Sequence, residues 1–279
     1  MSLNETCDSL LRRVAARVER TSATRWHIAP SAAIEMPVMV SSNGERWLRL
    51  AIPLGSEWTA AESWGYLERA AALDGPYKYA LLPAESAPWV REQPSLCADA
   101  AAGVGLEERI ARLLAGFERG PERYSETLGP DVDPCSIAEV VAACNAAGWE
   151  ATERTNGIVA VSFGAAAAIL RHERRWIASL AIAHAGDEIP TASRAALGLL
   201  GLRLSGRVFS ARAAAAAREG RTALSLEVGL ERPTDAASVG EALATLRVAY
   251  DLSHAEAEIF TRDPCAAEAF TARALNPHP

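Results

Sequence analysis

A histidine beside carboxylates is the smallest constellation that could move a proton or hold a metal, and the sequence has one at His184-Ala-Gly-Asp187-Glu188. It lies on a loop, where such residues ordinarily solvate a turn. The other histidines, His27, His172, His254 and His278, are scattered over both halves of the chain. Gly103-Val-Gly105 is followed by Leu-Glu-Glu instead of a third glycine and opens no strand-helix-strand unit, so it reads as a lead-in to a helix and not as a phosphate cradle. There is no G-x-S-x-G elbow, and Lys78, the single lysine, has no serine three residues before it. Cys7, Cys97, Cys135, Cys144 and Cys265 are odd in number and lack C-x-x-C spacing, which predicts reduced, buried, small apolar residues. The expectation is no catalytic residue, no metal and no cofactor.

Tryptophan is the more informative type. Trp26, Trp47, Trp58, Trp64 and Trp89 fall in the first half, Trp149 and Trp176 in the second. Core packing is the plain reading of any one of them. Yet Trp47 and Arg49 alternate against Leu48, Leu50, Ile52 and Leu54, which places them on the outer side of a strand, and Trp58 lies in a loop. Rigid apolar area left in water is suited to a partner. Trp47, Trp58, Trp89, Trp176 and Arg49 are therefore the candidate partner-binding residues.

The elements that would position them follow from periodicity. Cys7, Leu11, Val14 and Val18 make one face of a helix over 4–20. Strands are predicted at 25–28, 34–40 and 46–54, with Asn43-Gly44 as a hairpin turn. Thr59-Ala-Ala-Glu62 is a capping box opening a helix to Leu73, and strands at 77–82 and 89–92 precede a helix carrying Leu106, Ile110, Leu113 and Phe117. Three Xaa-Pro steps mark 119–133 as a linker. Beyond it, Ser136-Ile-Ala-Glu139 caps a second opening helix, and strands at 150–154, 158–163, 165–170 and 174–183 follow, Asn156-Gly157 turning between the first two. A helix with Leu197, Leu200 and Leu204 ends at Gly206, and strands at 207–217 and 222–230 lead to a helix capped by Asp235 with Val239, Leu243, Leu246 and Tyr250. A final helix over 253–275 is broken near Pro264.

The last stripe repeats the spacing of Leu106, Ile110, Leu113 and Phe117, and Arg46-Trp47 has a counterpart in Arg175-Trp176. The same order of elements thus occurs twice. The expected fold is α+β: two tandem αβββαββα domains over 1–118 and 134–279, each a five-stranded, mainly antiparallel sheet covered by helices, packed as a pseudo-dimer, the second with an extra C-terminal helix.

With 279 residues, 49% hydrophobic, the chain can bury a core for two ordinary domains. A net charge of −7 without a basic patch disfavours nucleic acid and anionic membrane. No run approaches the roughly twenty apolar residues of a membrane span. The N-terminus lacks a signal-peptide pattern, so the expected location is the cytoplasm.

This order of elements, with Arg46-Trp47-Leu48-Arg49-Leu50 leading into the Leu67–Leu73 helix and Leu204-Ser205-Gly206-Arg207-Val208 leading into a hairpin, resembles the type III secretion chaperone-like fold, which includes class I secretion chaperones and YbjN-type domains. The resemblance covers most of the chain apart from the linker and the tail after Tyr250. It implies a small acidic cytosolic protein, without catalytic residues, that binds an extended segment of a client protein. Two such units on one chain imply a monomeric pseudo-dimer or a homodimer of it. Strand addition at a sheet edge near Trp47, Trp89 and Trp176 is the expected mode. Two further readings stand beside it. One is an enzyme or accessory protein with a small-molecule or peptide site in the cleft between the halves, built from residues such as His172, Glu173 and Arg174. The other is a regulatory module that pairs through the C-terminal helix.

Overall fold

The computed structural model describes residues 3–29, 38–43, 47–53, 58–72, 78–81, 88–92, 135–155, 157–173, 176–185, 189–208, 210–218, 221–230 and 232–275. The 119–133 linker and the 106–117 helix expected from the sequence lie outside them.

The chain is mixed α and β. Its first helix, α1 (Leu3–Val14), is shorter than its apolar period suggests, because β1 (Arg17–Ser22) pairs antiparallel with β2 (Arg25–Ala29) across a tight Ala23-Thr24 turn. Val18, expected on the helix, sits in β1 opposite Ile28. β-branched Val18 and Thr21 suit a strand, and the ladder to β2 outweighs the continuing helical stripe. α1 is tied down through Leu10 and Leu11, both buried, and through Asp8, which accepts from Trp26 Nε1 at 3.1 Å and from Arg12 Nε at 2.9 Å. The hydrogen bond and charge of Arg12, helped by Trp26, hold the Asp8 carboxyl below the usual carboxylate range despite its desolvation.

β3 (Val38–Asn43) and β4 (Trp47–Pro53) continue the antiparallel meander. Glu62 accepts from the Thr59 N–H at 2.6 Å and the Thr59 hydroxyl at 3.0 Å, opening a 3-10 turn (Ala60–Glu62) that runs into α2 (Ser63–Ala72). β5 (Lys78–Leu81) and β6 (Pro88–Glu92) complete a sheet of order β1-β2-β3-β4-β6-β5.

The second series opens with α3 (Ile137–Ala146). Ser136 Oγ accepts from the Glu139 N–H at 3.3 Å while Glu139 accepts from the Ser136 N–H at 2.8 Å, a closed capping box. Ser136→Ala is expected to cost about 1 kcal/mol, read as a lower midpoint in urea at unchanged slope. Then come β7 (Ala151–Arg154), β8 (Ile158–Phe163), β9 (Ala166–His172), β10 (Trp176–Ala185), α4 (Thr191–Arg207), β11 (Arg212–Arg218), β12 (Arg221–Leu230), α5 (Ala236–Arg262) and α6 (Pro264–Leu275). Gly157, at φ 73°, supplies the left-handed residue of the β7–β8 turn.

The second sheet has the order β11-β12-β10-β9-β8-β7. Read from its other end, it has the connectivity of the first. Each sheet has six strands, not the expected five, because four strands precede the middle helix in each series. The helix expected to end at Gly206 runs one residue further, to Arg207, with Gly206 buried in its last turn. Likewise α5 continues through Tyr250 to Arg262, and only Pro264 breaks it.

The compact units also divide differently from the expected domains. One comprises 1–56, 73–78 and 88–128, the other 57–72, 79–87 and 129–279. Within the second, α2 packs on α4 and β11. One face of the second sheet carries Val159, Val161, Leu170, Leu180, Leu224 and Leu226, all buried, with α4 and α5 packed against the sheet.

Candidate functional site

The five sequence candidates do not form a common site within either unit. Trp47 and Arg49 lie in β4, which pairs with β3 and β6 and so is interior to its sheet. Trp89 lies in β6, opposite Pro53. Ala51, on the same side of β4 as Trp47 and Arg49, is fully buried, so at that position the side expected to face outward is covered. Trp58 is half-buried just before the 3-10 turn, in the other unit. Trp176 is 3% exposed in interior strand β10. It is therefore a core residue and not a surface anchor. β4, β6 and β10 each have a neighbouring strand on both sides, although among the described residues Trp47–Arg49 of β4 pair with β3 alone and Leu180–Ala185 of β10 with β12 alone.

His172 is exposed across the ladder from Trp176, and Glu173 turns to Arg171 Nε at 2.5 Å; Arg174 lies outside the described residues, as do Asp187 and Glu188. His254 Nδ1 lies 3.2 Å from the Ile182 carbonyl and its ring stacks on Tyr250. Among the described residues there is no group of three or more metal-ligating side chains. Cys144 is buried, and desolvation pushes its thiol up to about 11, which makes it inert. Cys265, expected inside, is exposed on α6.

Two arrangements not anticipated from the sequence stand out. The first is a buried ion network on the second sheet. Glu227 on β12, 3% exposed, accepts from Arg212 Nη2 on β11 at 2.8 Å and Nε at 3.0 Å through one oxygen, and from Arg171 Nη2 on β9 at 2.9 Å through the other. Burial alone would raise the Glu227 carboxyl, but the charges and hydrogen bonds of the two arginines outweigh it and hold the pKa below the ordinary value. The only sequence signal was Arg212 and Glu227 interrupting strands of Ala, Leu and Val.

The second is the open edge at β7. Thr152, Glu153 and Arg154 are all exposed, and β7 has a ladder partner on one side alone among the described residues. The Ser162 N–H donates to Glu150 O at 3.0 Å, which sets the phase of the β7–β8 ladder. Thr152 and Arg154 turn their backbone groups toward β8, while Ala151 and Glu153 turn theirs away. Asn145 Oδ1 accepts from the outward Ala151 N–H at 3.1 Å. The Ala151 carbonyl and both backbone groups of Glu153 remain on the open side. Half-buried Trp149, stacked on Phe163 with centroids 4.8 Å apart, adds an aromatic surface at the start of this edge.

The corresponding edge of the first sheet is β1, whose side chains are exposed apart from half-buried Val18. Arg17, Glu19 and Arg20 charge it, and Arg20 folds back to donate to the Ser22 and Ala23 carbonyls at 3.2 and 2.9 Å. Such charges guard an edge against unwanted pairing. No helix among the described residues is long and apolar enough to cross a membrane. No protein-family model, curated protein or solved structure matches the chain.

Proposed function

We propose that the chain is a non-enzymatic, chaperone-like binding protein of the cytoplasm that holds an extended segment of a client polypeptide, added as a strand to the edge at β7. The observation that carries this reading is the pairing phase of β7, which leaves the backbone groups of Glu153 facing outward beside Trp149. A client strand would satisfy those groups, and Trp149 would favour an apolar side chain next to them. The proposal keeps the chaperone-like resemblance and moves its site from the interior tryptophan strands to the open edge.

In the same reading the chain arose by duplication of one unit with the order αββββαββ and its two copies act as a covalent pseudo-dimer. The shared sheet connectivity supports this. So does the packing of α2 on α4, the helices that occupy the same place in the two series.

Proline substitution separates the edge from the fold. Glu153→Pro removes a donor that faces away from β8, so affinity for peptides selected on the full chain from an unbiased library is expected to fall at least about tenfold with little change in stability. Glu153→Ala should bind normally, because the contact is to backbone. Thr152→Pro, which breaks the ladder to β8, should destabilise the protein. Equal binding by wild type and Glu153→Pro in titration calorimetry would remove β7 as the site.

A further inference from the structure

Asn145 stands in the last turn of α3, and its side chain reaches to the open edge of β7. Its Oδ1 accepts from the outward Ala151 N–H at 3.1 Å, in the place that a carbonyl of a neighbouring strand would take. The edge therefore offers the Ala151 carbonyl, the Glu153 N–H and the Glu153 carbonyl, in that order along the chain, and is closed at the Ala151 N–H.

The two directions in which a strand can be added use these groups differently. A parallel strand places one residue opposite Thr152, with its N–H donating to the Ala151 carbonyl and its carbonyl accepting from the Glu153 N–H. The residue two further on donates to the Glu153 carbonyl. Every open group is then filled, and the carbonyl that Asn145 excludes belongs to a residue that precedes the contact. An antiparallel strand pairs one residue with Glu153 through both backbone groups and its next pairing residue with Ala151. That residue can donate to the Ala151 carbonyl in a regular ladder only by setting its own carbonyl against Asn145 Oδ1, oxygen to oxygen.

We infer that Asn145 is a specificity-determining residue that sets the direction of the client, which is added parallel to β7 and enters the ladder opposite Thr152. This inference rests on β7 being the client edge. The side chains of the edge give that direction a sequence. Ala151 and Glu153 lie opposite Val161 and Val159, both fully buried, and so share the core side of β7 with Trp149, while Thr152 and Arg154 lie on the other side. Glu153 and Arg154 are exposed. Read from its N-terminus, a parallel client then carries an apolar residue beside Ala151 and Trp149, any residue opposite Thr152, a basic residue beside Glu153 and an acidic one beside Arg154. An antiparallel client would carry the same types in reverse order.

Nitroxide-labelled, library-selected peptides bound to the full chain test the direction by NMR. A label at the peptide's N-terminus should broaden the Trp149 indole N–H resonance more than the Arg154 amide, and a label at its C-terminus should do the reverse. Asn145→Ala should bind the same peptides about fivefold more tightly, because the freed Ala151 N–H becomes a further ladder position for the client. A merely structural Asn145 would instead weaken binding when removed. The opposite broadening gradient, selected peptides with the types in the order acidic, basic, any, apolar, or an Asn145→Ala chain that binds no more tightly than wild type would overturn the inference. Peptides that bind Glu153→Pro as well as wild type would remove the site and with it the proposed function. A reversed gradient in peptides that Glu153→Pro rejects would remove the direction alone.

Discussion

Replacing Gly198 with alanine should destabilise the second compact unit by roughly 2 to 3 kcal/mol, against the usual helix-stabilising sign of that change. A Cβ at Gly198 would come within 2.6 Å of the Trp64 backbone nitrogen and 2.8 Å of the Ser63 carbonyl carbon. Both are backbone atoms at the first turn of α2, so no side-chain rotation relieves the overlap, and α2 or α4 must move. Gly65 is the internal control. A Cβ there meets nothing closer than Arg69 Nη1 at 3.8 Å, so Gly65→Ala should stabilise the protein by about 0.5 to 1 kcal/mol. Urea unfolding of the two variants measures the difference. Equal effects would mean that α2 does not lie against α4 at this distance.

Glu227→Ala should cost more, about 3 to 5 kcal/mol, because it removes the carboxylate that Arg171 and Arg212 share in a region already largely removed from water, with exposed Glu173 left to answer Arg171. Replacing Arg212 and Glu227 together by Met and Leu should recover much of that loss, since the double change also removes the buried Arg212 charge. The same network sets an acid limit. The Glu227 pKa is lowered on folding, so its contribution is fully present above the unfolded value of about 4.3 and is lost as pH falls below that toward the folded value. Stability followed from pH 6 downward should therefore decline more steeply below about pH 4 in wild type than in the apolar double variant. A Glu227→Ala protein within 1 kcal/mol of wild type would contradict this account of the network.

Much of the fold could be read from local chemistry. The capping boxes at Thr59 and Ser136, the cap at Asp235 and the break at Pro264 depend on neighbours a few residues away, and each marks an element boundary in the structure. Val18 was misleading because tertiary contact overrides local preference. It belongs to a strand because β2 is there to pair with it. The tryptophans misled for a related reason. Alternation shows which side of a strand a residue occupies but not whether a second layer covers that side, and Trp176 is covered. Which strands are edges depends on the order in which they assemble, and that order is non-sequential at β10, β12 and β11. The Arg171–Glu227–Arg212 network joins three strands across up to 56 residues of chain, a separation over which no periodicity in sequence carries information.

The central claim, that an extended polypeptide is held at the open edge of the second sheet, is tested most directly by amide hydrogen exchange of the full chain with and without a library-selected peptide at saturation. The account predicts new protection at the Glu153 amide and its immediate neighbours in β7, absent from the Glu153→Pro chain under the same conditions. Protection confined to other strands, or a peptide that binds tightly while the Glu153 amide exchanges as it does in the free protein, would contradict it.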